Sequence, residues 1–79
     1  MPMSLRDYLF KNRRRFHAEE FARRIQINPT YLSRIVNGNV IPSIFLAKKI
    51  QVETNSEVIW YELMEFCYSI LEAKKENIK

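Results

Sequence analysis

Apolar residues recur along this chain at steps of three and four, the period of helices that bury one face. Near the N-terminus Leu5, Tyr8 and Leu9 fall on one side, behind a Ser4 that can cap and an Asp7 three residues on. Lys11 to Arg15 follow as a basic connection. A second helix is expected to start near His17, burying Phe21, Ala22 and Ile25 and leaving Arg23 and Arg24 outside. Asn28-Pro29 marks a third start: Asn can cap the first free N–H groups, and Pro suits the first helical position, where its missing N–H costs nothing. From there Leu32, Ile35 and Val36 share one side and Thr30, Tyr31 and Arg34 the other, until Gly38 stops the helix by taking positive φ. Ser43 caps a fourth helix, whose inner face draws on Ile44, Leu46, Ala47 and Ile50 and which exposes Lys48 and Lys49. Thr54 and Glu57 repeat the capping-box spacing before a fifth.

The fifth helix is expected to run from Glu57 to about Lys75, roughly 28 Å at 1.5 Å per residue. Ile59, Leu63, Phe66 and Ile70 recur at steps of four, three and four, with Trp60, Met64, Cys67 and Leu71 beside them. Together they form an apolar face opposite Glu62, Glu65, Ser69, Glu72 and Glu76. A small four-helix head has enough surface to cover the first turns but not Phe66 to Leu71. Trp60, Leu63, Phe66, Cys67, Ile70 and Leu71 are therefore expected to pair with a second copy. The alternative is that this helix folds back across its own head.

Composition narrows the class. Of 79 residues 47% are hydrophobic, with one Gly and three Pro, which points to an all-α core with few β-turns. A chain this short makes one domain, 1–79, and buries only about 60% of its unfolded surface. Cys67 is the single cysteine, so no internal disulfide can form and a reducing cytoplasm is expected. No apolar run approaches the ~20 residues of a membrane span, and Met1 to Asp7 lack the apolar stretch of a signal peptide. Charge is split along the chain. Residues 1–52 carry ten Lys or Arg against three acids, and residues 53–79 carry three Lys against six Glu, balances of +7 and −3. A basic head suits phosphate, while an acidic tail belongs away from it.

The stretches Glu20-Phe21-Ala22-Arg23-Arg24-Ile25, Ile27-Asn28-Pro29-Thr30-Tyr31-Leu32-Ser33-Arg34-Ile35 and Asn37-Gly38 carry a resemblance. They are similar to the lambda-repressor/Cro-like (XRE-type) helix-turn-helix family, whose pattern is apolar–Ser–Gln–x–x–Leu–Ala, then Gly–Val–Ser, then a helix ending in Asn–Gly. Pro42-Ser43 begins a fourth helix as in that family, and the likeness spans roughly Ser4 to Met64. It implies an all-α, five-helix lambda-repressor-like fold: a helix-turn-helix head over 4–64 and an extended C-terminal helix over 56–75. Three departures stand out. Gln26 occupies the usual Gly of the turn, which implies a strained or altered turn. Ala18 replaces a Gln that can contact DNA, and Asn39-Val40-Ile41 replaces a commonly basic loop.

The function this implies is sequence-specific binding of double-stranded DNA by a homodimeric transcriptional repressor or regulator. The third helix would enter the major groove with Thr30, Tyr31 and Arg34 at base edges. Asn28, Asn37 and the start of the second helix at His17-Ala18 would hold phosphates, with Arg13, Arg14 and Arg15 as further candidates for the same task. Those three arginines also read as a solvated loop. Enzyme chemistry has little support: His17 and Cys67 stand fifty residues apart without a third member, and Cys67 reads as a small core residue. No Cys/His spacing suits a metal and no Gly-rich loop suits a phosphate, so no cofactor is expected. The alternative class is a protein-interaction module, such as an antitoxin, whose fifth helix binds a toxin or other partner protein.

Overall fold

The computed structural model describes residues 3–76, with side chains through residue 74. Met1-Pro2 of the leader reading and the place of Glu76 on the polar face lie outside the described residues and side chains. Five helices follow in order: α1 (Leu5–Lys11), α2 (Ala18–Arg24), α3 (Pro29–Val36), α4 (Ile44–Glu53) and α5 (Trp60–Glu76). Side-chain caps set three of the starts. Ser4 Oγ accepts from the Asp7 N–H, Asn28 Oδ1 from the Thr30 N–H at 2.7 Å, and Ser43 Oγ from the Leu46 N–H. Each satisfies a backbone donor that the first helical turn leaves free.

Three helices end by the same device. The residue after the C-cap turns left-handed, and the next N–H reaches back to a carbonyl five residues earlier. At α2 this residue is Gln26 (φ 62°), with Ile27 N–H bonding the Ala22 carbonyl; at α3 it is Gly38 (φ 74°), with Asn39 bonding Arg34. At α4 it is Asn55 (φ 54°), with Ser56, itself at φ 65°, bonding Gln51. Only one of the three positions has the residue that adopts this conformation without steric cost.

The second capping box expected at Thr54–Glu57 does not form. Thr54 is the C-cap of α4, buried, and its Oγ1 accepts from the Val58 N–H. An extra left-handed turn therefore separates α4 from α5, which begins at Trp60 rather than Glu57. The cap comes from another helix: Gln51 Oε1 accepts from the Trp60 N–H at 3.0 Å.

The core gathers Leu5 and Tyr8 of α1, Phe21 and Ala22 of α2, Leu32 and Ile35 of α3, and Ala47 and Ile50 of α4, with Leu63 and Cys67 of α5. Tyr8, Phe16 and Phe21 form an aromatic cluster with centroids 5.9–6.2 Å apart. Ile44, counted among inner-face candidates, is exposed. Lys11 pairs with Glu57 at 2.6 Å and the Met3 N–H bonds the Glu57 carbonyl, so the N-terminal segment is tied to the α4–α5 connection.

Candidate nucleic-acid interface

α3 is anchored by its inner face and open on its outer one. Leu32 and Ile35 are fully buried, while Pro29, Thr30, Ser33, Arg34 and Asn37 are exposed. Beside it a shallow groove of about 200 Å³ is lined by Arg6, Leu9, Ala18, Pro29, Ser33 and Asn37, among others. The groove joins the start of α2 to the outer face of α3, so Ala18 and Asn37 come together although nineteen positions separate them.

Both asparagines expected at the phosphate backbone are held by their acceptor oxygens. Asn28 Oδ1 caps α3, and Asn37 Oδ1 accepts from the Arg6 guanidinium. Each thereby keeps its amide Nδ2 as a donor, the polarity a phosphate oxygen requires. Arg6 is absent from the candidates read in the sequence, as is Ser33. Arg6 lies on the outer side of α1, and no local pattern ties it to a residue thirty-one positions away. Ser33 was legible in principle, because it stands four residues from both Pro29 and Asn37 on one helix face.

The turn between α2 and α3 takes positive φ at Gln26, the strained of the two forms, strained or altered, that its place in the family pattern implies. Its side chain is put to use: Gln26 Oε1 accepts from Lys49 Nζ at 2.8 Å, linking the turn to α4. Val40 and Ile41, in the loop that the family commonly fills with basic residues, pack partly against the core.

A helix-turn-helix family model matches residues 11–60, which contain α2, the Gln26 turn, α3 and α4. The chain belongs to the helix-turn-helix family, of the lambda-repressor-like type. No curated protein and no solved structure matches it. Helix-turn-helix membership supports a DNA-binding, regulatory role in general. None of the described helices is long and apolar enough to cross a membrane.

Several helix-turn-helix site residues sit differently from expectation. Tyr31 is half-buried and packs against the core, so its ring serves α3's anchoring as well as its outer face. His17 is the N-cap residue of α2 but its side chain makes no capping bond. The three arginines after α1 diverge. Arg13 bonds the Phe10 carbonyl and lies 3.9 Å over the Phe10 ring, and Arg14 is exposed. Arg15 faces a polar cleft of about 460 Å³ with Tyr8, Arg24, Glu53 and Glu57, none of them on α3. Two carboxylates in that cleft make it a poor seat for phosphate.

The apolar stripe of α5 also needs correction. Leu63 and Cys67 are buried within their own protomer, Cys67 Sγ lying 3.6 Å from the Ile35 carbonyl. Ile70 is seated on Gly38, and Lys74 reaches Asn39. The helix thus folds back along its own head for more than two turns. Trp60, Ile70 and Leu71 are half-buried and Phe66 is exposed. Leu63 and Cys67 are consequently unavailable as contacts between folded copies. The physical reason is the loop after α4, which swings α5 across the C-terminal end of α3. Burial raises the Cys67 thiol above its ordinary pKa, which suits a packed residue rather than a nucleophile.

Proposed function

We propose that this chain is a sequence-specific double-stranded-DNA-binding regulator that acts as a homodimeric repressor. One observation carries the reading: α3 presents Thr30, Ser33, Arg34 and Asn37 on an exposed face while Leu32 and Ile35 lock its inner face into the core. Such a helix can enter a major groove as a rigid body. Arg34 offers a bidentate donor pair to guanine, and the Thr30 methyl suits a thymine methyl. Asn28 and Asn37 donate to phosphates on either side, and Arg6 adds a positive charge beside Asn37. Bound across a promoter, such a protein represses by occupying the site.

Selection of bound sites from a random duplex pool tests this directly. The expected result is an enriched palindrome with half-sites about 34 Å apart, one helical turn, and affinity that falls steeply with salt. Absence of an enriched sequence at any salt would overturn the proposal. Exposed apolar residues on α4 and α5 also favour a protein contact. A second polypeptide that co-purifies in fixed proportion would move the reading to an antitoxin or interaction module.

A further inference from the structure

Two exposed stripes on neighbouring helices lie outside the groove-facing surface. On α4, Phe45 is 82% exposed and Val52 76%, and with Lys48 and Lys49 they line a shallow depression. Seven residues apart, the two apolar side chains stand on one line about 10.5 Å apart, and the lysines project to either side between them. On α5, Tyr61 and Tyr68 are 54% and 59% exposed at the same seven-residue interval. Exposed Glu65 falls between them and Glu72 beyond, all four within one narrow strip of the helix.

We infer that these stripes meet between two copies of the chain: Phe45–Val52 of one protomer lies along Tyr61–Tyr68 of the other. Because α4 and α5 pack side by side in each protomer, a two-fold axis makes the contact twice. Phe45 and Val52 cover tyrosine rings, and Lys48 faces Glu65. Matching spacing and opposite charge select a second copy over other occupants. Within the protomer these charges are not matched to each other: Lys48 lies 5.2 Å over the Trp60 ring, Lys49 bonds Gln26, and none of Lys48, Lys49, Glu65 and Glu72 is in an ion pair among the described residues. The interface rests on the homodimer reading and replaces Leu63 and Cys67 with residues that are free to touch a partner.

The test is sedimentation of the full chain and of two charge-reversed variants, Lys48→Glu and Glu65→Lys. Each substitution is exposed, and circular dichroism checks that the fold survives. Each variant alone should dimerise about tenfold more weakly than wild type, because both of its contacts then join like charges. Mixed one to one, the two variants should pair with each other, since both contacts again join opposite charges. No change in any single variant that leaves wild type dimeric, or no recovery on mixing, would overturn this interface while leaving the homodimer. Species that keep growing beyond two copies would overturn the two-fold arrangement. A wild type that is monomeric throughout would defeat the homodimer reading and this interface together.

Discussion

Gly38→Ala tests two features of the fold at once, the left-handed end of α3 and the seat of α5. Gly38 ends α3 at φ 74°, and it is also where α5 crosses: a Cβ there would lie 2.7 Å from Ile70 Cγ1 and 2.8 Å from Ile70 Cβ. Two costs add. A left-handed conformation costs an L-residue about 1–2 kcal/mol. Overpacking against a side chain whose own Cβ is fixed to a helix costs about 1–3 kcal/mol. The stiffer unfolded chain offsets about 0.4–1 kcal/mol. Taking the middle of each range, the net loss is about 3 kcal/mol. At roughly 4–8 °C per kcal/mol for a domain of this size, the melting temperature should fall by about 12–24 °C. Thermal melts and urea titrations read this directly. In an Ile70→Ala background the penalty should shrink by about 1 kcal/mol and not vanish, because the Ile70 Cβ remains in place. A Gly38→Ala protein that melts within about 5 °C of wild type would refute the seating of α5 on this glycine.

Arg34→Ala should cost about 1–3 kcal/mol on the preferred site and relax base choice at one position, whereas Arg14→Ala should weaken specific and random DNA alike; unchanged preference in a competition assay would remove Arg34 from the reading face. Gln26→Gly should raise the melting temperature slightly, because relief of about 1–2 kcal/mol of left-handed strain exceeds the ~0.4–1 kcal/mol of added unfolded-state entropy. A lower melting temperature would show that the bond to Lys49 outweighs that strain. Alkaline stability follows from two groups with raised pKa values. Burial raises Cys67, and burial followed by the charges of Glu57 and Glu53 raises Tyr8. The unfolded chain ionises first, so stability is complete below pH 9.0, the ordinary thiol value, and falls as pH rises through the folded values. Urea midpoints should hold level up to about pH 9 and decline above it, and Cys67→Ala should remove the earliest part of the decline.

What the sequence determined by itself was local. Ser4, Asn28 and Ser43 cap helices because a cap is made within three residues, so α1, α3 and α4 start where the pattern places them. The outer face of α3 was legible for the same reason, since Leu32 and Ile35 fix which side turns inward. At Gln26 the family pattern left a strained or an altered turn open, and the fold took the strained one, at positive φ. Tertiary structure decided whatever depends on residues far apart in the chain. Thr54 has the side chain of an N-cap, yet it closes α4, and α5 takes its cap from Gln51 nine residues away. Periodicity gave α5 an apolar face but not its partner, because hydrophobic contact has no direction and the same stripe fits a second copy or its own head. The close approach of Ile70 to Gly38 and the burial of Cys67 beneath α3 settled most of that stripe in favour of the head. Tyr31 was divided between core and surface by the same packing, and Arg6 joined the groove because folding brought α1 against the end of α3.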